Sequence, residues 1–158
     1  MAGGGTTVNT NAIGAISSID RSPDTLAFTY SNNQLGRVTT QAPSTAFPYY
    51  TKTDTNYAWN NGDMVAIAFT SGVDSFSYDV SKTGQVGDAL RIDAFLNYGR
   101  AYIKTSHVPS QWYGSQWIER YFYHYDGQGR ITQFIKVKNN FGTGTDDSTF
   151  YSYQYYAF

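Results

Sequence analysis

The chain has 158 residues, a formal net charge of −1, 15% charged and 18% aromatic residues, and no cysteine. This length is a prior for one domain with a real core, and the aromatic content excludes a disordered chain. Near-neutral charge without a Lys or Arg run argues against nucleic acid as a partner, and the lack of Cys excludes a disulfide framework or thiolate metal site.

The residue types point to strands. All the acids but Glu119 are Asp, a turn and cap former, and they accompany many Tyr, Phe, Thr, Val and Ile residues. The expected fold is mostly β: an antiparallel sheet of successive hairpins, as a curved sheet or a sandwich, with one short helix. Residues 1–12, rich in Gly, Thr and Asn, read as a flexible leader or linker, and 13–158 as a single hairpin-repeat domain. The leader lacks the charged start and apolar middle of a signal peptide. The longest apolar run, Met64 to Phe69, is far too short for a membrane-spanning helix.

In chain order, "FTYSNNQLGRVTT" (28–40) gives an aromatic, any residue, Tyr, a polar turn, then Gly-Arg, an apolar residue and Thr. "YAWNNGDMVAIAF" (57–69) repeats this with Trp59 in the second aromatic place and Asn61-Gly62 as turn, and "FSYDVSKTGQV" (76–86) is a degenerate copy. Asp88 as N-cap, Leu90, Ile92, Phe95 and Leu96 as apolar positions, and Gly99 as stop predict a short helix at 88–98, although a strand across Leu90–Phe95 also fits. Pro109 and Gly114 then suggest that 105–117 is a loop, with 42–50 as another.

"YFYHYDGQGRITQFIKVK" (121–138) is the most regular hairpin. Tyr121, Tyr123 and Tyr125 take one face, Phe122 and His124 the other, with Asp126 and Gly129 as structural turn residues. After the turn, Ile131, Ile135 and Val137 are expected to share a face. Gly36-Arg37-Val38-Thr39 aligns with Gly129-Arg130-Ile131-Thr132, with a longer turn in the earlier copy. "FYSYQYY" (150–156) is a fifth first strand without a return strand. Its alternating aromatics also resemble the last strand of outer-membrane barrels, but the other strands lack a lipid-facing apolar band.

"FTYSNNQLGRVT", "YHYDGQGRITQF" and "YIKTSHVPSQW" resemble the hairpin repeats of Bacteroidetes envelope lipoproteins of unknown function, and more distantly the YD repeats of bacterial surface toxins and wall proteins. The resemblance spans roughly 13–158. It implies an exported, mostly antiparallel β domain on the cell envelope or outside the cell, with a possible lipid anchor upstream. It implies no catalytic residues.

The residues themselves suggest no enzyme, metal or cofactor. His107 and His124 lack ligand spacing, no GxSxG, P-loop or GxGxxG occurs, and Asp63, Asp126 and Asp146-Asp147 sit beside turn residues. The functional expectation rests on Trp112, Tyr113 and Trp117, clustered with Gln111, Ser115 and Gln116. Aromatic rings beside amides suit stacking plus hydrogen bonding, to a glycan or a protein at the cell surface. The competing role for these Trp residues is as core closing the sheet edge. A structural subunit of a fibre, injection apparatus or virion, joining other copies of itself by strand addition, is the alternative function.

Overall fold

The computed structural model describes residues 6–12, 14–21, 23–46, 49–91 and 103–154. They form one antiparallel sheet whose eleven strands lie side by side in chain order. The strands are β1 (Thr6–Thr10), β2 (Ile16–Arg21), β3 (Asp24–Ser31), β4 (Gln34–Pro43), β5 (Tyr50–Asn60) and β6 (Asp63–Phe69), then β7 (Gly72–Thr83), β8 (His107–Tyr113), β9 (Trp117–Tyr125), β10 (Ile131–Asn140) and β11 (Asp146–Ser152). The fold is the mostly-β hairpin sheet that the composition implies. Tyr30, Trp59, Tyr78 and Tyr125 lie in alternate strands of it, with Tyr153 just past the end of β11.

One bulged hairpin recurs along this sheet. In β3–β4, Phe28 faces Val38 and Tyr30 faces Leu35, so Gly36 is an extra residue on the return strand. In β5–β6, Tyr57 faces Ile67 and Trp59 faces Met64, leaving Val65 extra. In β9–β10, Tyr123 faces Phe134 and Tyr125 faces Ile131, leaving Thr132 extra. The extra residue flips the pleat, so the two core residues of a return strand stand at i and i+3 instead of i and i+2. Leu35, Val38, Met64, Ile67, Ile131 and Phe134 are all buried.

The same arrangement holds where the aromatic pattern is weakest. In β1–β2, Val8 faces Ile19 and Thr10 faces Ile16, with Ser17 extra. In β7–β8, Phe76 faces Trp112 and Tyr78 faces Pro109, with Ser110 extra. Pro109 is tolerated inside a strand because the irregularity adjacent to it already interrupts the ladder.

A bulge perturbs local pairing, and aromatic tips from the next hairpin bond to carbonyls just before the extra residue. Trp59 Nε1 donates to the Leu35 carbonyl at 2.8 Å, Tyr78 OH to that of Met64 at 2.6 Å, and Tyr123 OH to that of Pro109 at 2.9 Å. The aromatics thus bury ring area and satisfy backbone acceptors, which explains why Tyr and Trp recur there.

Several expectations change. Residues 107–113 are strand β8, so the expected loop 105–117 is reduced to a short lead-in and a tight turn before Trp117. Gly36 lies at a bulge, whereas Gly129 lies in a turn with φ 77°, so the two Gly-Arg strings are not equivalent. The earlier turn is the shorter one, Asn32-Asn33, with φ 50° and 60°. The bulge at Thr132 also separates Ile131 from Ile135 and Val137: Ile131 joins Phe134 on the inner face, and the other two point outward. Within the expected leader, Thr6–Thr10 pair with β2 as β1. Residues 89–91 are helical, while Ile92, Phe95, Leu96 and Gly99 lie outside the described residues.

The two buried clusters lie on one face of the sheet, while Ile118, also buried, stands on the opposite face of β9. Ile16, Ile19, Phe28, Leu35, Met64 and Phe76 belong to one cluster, which Leu90 and Ile103 join from the connection between β7 and β8. Ala89, Tyr121 and Phe134 form a second cluster, and Trp112 packs against both.

Candidate functional site

Strands β8–β11 present two chemically different faces. On the inner face, Trp112 lies 5.1 Å from Phe76 and 5.3 Å from Trp117 between ring centroids. Its Nε1 donates to Asp74 Oδ2 at 3.0 Å. Lys138 Nζ stands 4.5 Å from the Trp117 ring centroid, a cation–π contact. Glu119 is buried: Tyr121 OH donates to it at 3.0 Å, and Lys136 and Lys138 approach at 3.8 and 3.9 Å. Gly114 is required under this cluster, because a Cβ there would run into the Trp117 ring.

The structure brings Trp112 and Trp117 together and packs Trp112 into the sheet's core. Trp112 occupies the return-strand core position that Val38, Ile67 and Phe134 fill elsewhere. Trp117 is partly covered by Lys138 and Trp112. Gln111 points to the outer face beside Arg120 and accepts a hydrogen bond from Tyr113 OH, and Ser115 and Gln116 are exposed in the turn. The backbone of Gln116 accepts from Phe141 N at 2.9 Å, fastening the β8–β9 turn to the β10–β11 turn.

The outer face carries a row that the sequence reading did not single out. Phe122, Ile135 and Phe150 are direct register partners across β9, β10 and β11. Phe122 is 52% exposed and Phe150 64%. Val137 adjoins them opposite Arg120, and Tyr113 stands near the β8 end opposite Ile118. The available signal was the position of Phe122 between the core tyrosines, which places a large apolar ring on the solvent side.

The titratable groups of the interior are held by structural partners. Asp63 Oδ2 lies 2.7 Å from His107 Nδ1, and Asp63 Oδ1 accepts from the His107 backbone N–H at 2.9 Å. Fully buried Asp88 caps the helical turn, accepting from Arg91 N at 3.0 Å and Gln85 N at 3.2 Å, with Arg91 Nε at 3.2 Å. Burial pushes the Asp88 carboxyl up to about 6, against the opposing pull of these donors. Burial also raises the Tyr78 and Tyr123 phenols well above their ordinary value.

The expected turn residues take their places. Asn61 and Gly62 have φ 50° and 84°, as a tight hairpin turn requires. Asp126 accepts from Gln128 N and Arg130 N at 2.9 Å and from Arg130 Nε at 2.7 Å. The Arg130 backbone N–H is the main cause of its lowered pKa. His124 is exposed on the outer face, and Asp146 accepts from Asn139 Nδ2 at 2.6 Å. Among the described residues, no group of three or more His, Asp or Glu side chains is placed to hold a metal ion, and no helix is long and apolar enough to cross a membrane.

No protein-family model and no curated protein matches this chain. Among solved structures, a porin-like protein from Bacteroides uniformis is similar at 14% identity and a TM-score of 0.32, over 92% of this chain and 86% of that one.

Proposed function

We propose that this chain is a non-catalytic β domain of the cell envelope or extracellular space that binds a protein partner through the outer face of β8–β11. The observation that carries this reading is the apolar row Phe122–Ile135–Phe150, in which two exposed rings flank a half-buried Ile135, continued by half-buried Val137 and by Tyr113. Contiguous exposed apolar side chains on a sheet cost solvation until something covers them, and such patches mark interaction sites. The face is a sheet surface lined by apolar and polar side chains, which suits a protein more than a small ligand, for which a concave pocket is the usual site.

A glycan would instead use an open aromatic ring. Lys138 over Trp117 and the packing of Trp112 against Phe76 and Trp117 weigh against that choice. Trp112 then supports the surface from beneath, while Tyr113, Gln111 and Gln116 form its rim. The envelope location draws support from the resemblance of the hairpin strings to exported lipoproteins. The non-catalytic reading draws support from Asp63, Asp88, Glu119 and Asp126, each engaged by structural partners.

The test immobilises the chain and its Phe122→Thr/Phe150→Thr variant and offers both an envelope protein extract and purified envelope polysaccharide. Threonine keeps strand propensity while removing the rings. The reading expects protein retained by the native surface and lost from the variant, at unchanged melting temperature. Equal retention by both, or retention of polysaccharide alone, would refute it.

A further inference from the structure

Among the described residues, the two outermost strands of the sheet are complementary. Every bulged hairpin pairs a first strand, carrying two inward residues at i and i+2, with a return strand carrying two at i and i+3. At one edge, β2 is a full return strand, with Ile16 and Ile19 both 2% exposed. Its own first strand is the poorest of the set: all five residues of β1 are exposed, and Val8 and Thr10 stand where the other hairpins place aromatic rings. At the other edge, Tyr151 and Tyr153 pack on Phe134 from the inner side, with Tyr151 stacked at 4.4 Å. The two rings point inward at i and i+2, as on a first strand, although Tyr151 faces Phe134 directly where β3, β5 and β7 place a residue two before their aromatic pair. Among the described residues β11 is paired only with β10.

We infer that β11 of one copy replaces β1 of the next, joining copies head to tail by strand exchange. Tyr151 then stands opposite Ile19 in the place of Val8, and Tyr153 opposite Ile16 in the place of Thr10. The alternation of first and return strands continues unbroken across the junction. Three features favour exchange. The incoming strand brings two rings where β1 brings one exposed valine. The strand it displaces contributes no buried side chain. Furthermore, Thr6–Thr10 contain no Lys, Pro or other edge-protecting residue. The two joined surfaces differ, so the contact is heterologous and repeats into an open chain or a ring. The inference is independent of the outer apolar face, because it uses only the edges and the inward residues.

The chain has no cysteine, so single thiols report on the junction cleanly. In each bulged hairpin, the residue between the two first-strand positions faces the one just before the second core residue, as Thr29 faces Arg37 and His124 faces Gln133. The exchanged junction accordingly places Ser152 of one copy against Ser18 of the next. The experiment makes Ser18→Cys and Ser152→Cys as separate full-length variants and follows disulfide formation with oxidised glutathione, for each alone and for the mixture. The mixed disulfide should form at least about tenfold faster than either homodisulfide, because the junction raises the local thiol concentration. A Val8→Tyr/Thr10→Tyr background, which gives β1 the missing rings, should bring the mixed rate down towards the homodisulfide rates. Equal rates for all three pairings overturn exchange. A fast mixed disulfide that is indifferent to the strengthened β1 overturns it as well.

Discussion

Strands β5 and β6 are joined by the tight turn Asn61-Gly62, whereas β7 and β8 are joined through residues 84–106. Yet both hairpins carry the same bulged register, with an aromatic pair facing core residues at i and i+3. The pairing is therefore specified by what the two strands bury, and the connection can be two residues or more than twenty. Loop closure grows costly only slowly with length, so a long insertion is compatible with the same hairpin. The inserted segment also docks: Ser106 N donates to the Gly62 carbonyl at 2.9 Å, and Gln85 bonds the Gly129 carbonyl and Ile131 N at 3.2 Å. It rests on both of the neighbouring hairpin turns.

The largest break in this equivalence comes from Trp112→Ala. If Trp112 is to β7–β8 what Ile67 is to β5–β6, its loss costs about 3–5 kcal/mol in a urea titration. A change below about 1 kcal/mol would mean that the two hairpins are not equivalent.

Next in size is the pH dependence carried by the inserted segment, which β5–β6 lacks. Folded Asp88 holds its proton up to about 6, above its ordinary value of 3.8. Its contribution to stability is fully present below 3.8 and is lost as pH rises through 6. The expected loss is on the order of 2–3 kcal/mol. Urea midpoints measured from pH 4 to 7 should fall with this slope in the native chain, and Asp88→Asn should flatten it. An unchanged slope in the variant would assign the titration elsewhere.

The turn itself yields smaller effects. Gly62 has φ 84°, and Ser106 Oγ occupies the place of its Cβ. Gly62→Val should cost about 1–2 kcal/mol of backbone strain and loosen the contact between the two hairpins. Loss of amide protection at Ser106 would report the second effect. The smallest effect concerns Asn33, at φ 60° in the corresponding turn of β3–β4. Asn33→Gly should stabilise the chain by about 0.5 kcal/mol, as a small rise in melting temperature.

This comparison also explains what could be read from the sequence. The hairpins at 28–40, 57–69 and 121–138 were legible because a short polar turn separates an aromatic pair from an apolar strand. The fourth was half legible. Phe76 and Tyr78 mark its first strand, but its return strand begins only at His107, and Pro109 and Gly114 resemble loop punctuation. The spacing Pro109–Trp112 matches Leu35–Val38 and Met64–Ile67, a signal that strict period-two reading discards. The same reading misassigned Ile135 and Val137, since one bulge residue inverts every side chain beyond it. At the candidate site, the aromatic cluster was visible in the sequence, while the outer row was not. Phe122, Ile135 and Phe150 come from three strands, and only the register brings them together.

Amide hydrogen exchange across residues 107–113 tests the central claim most directly. If β8 is the return strand of a fourth aromatic hairpin with this bulge, the amides of Val108, Gln111 and Trp112 that face a neighbouring strand exchange as slowly as those of Phe134 and Lys136 in β10. Exchange as fast as at Thr45 and Ala46, in the connection between β4 and β5, would show that the segment is a loop and that the repeat stops at three aromatic hairpins.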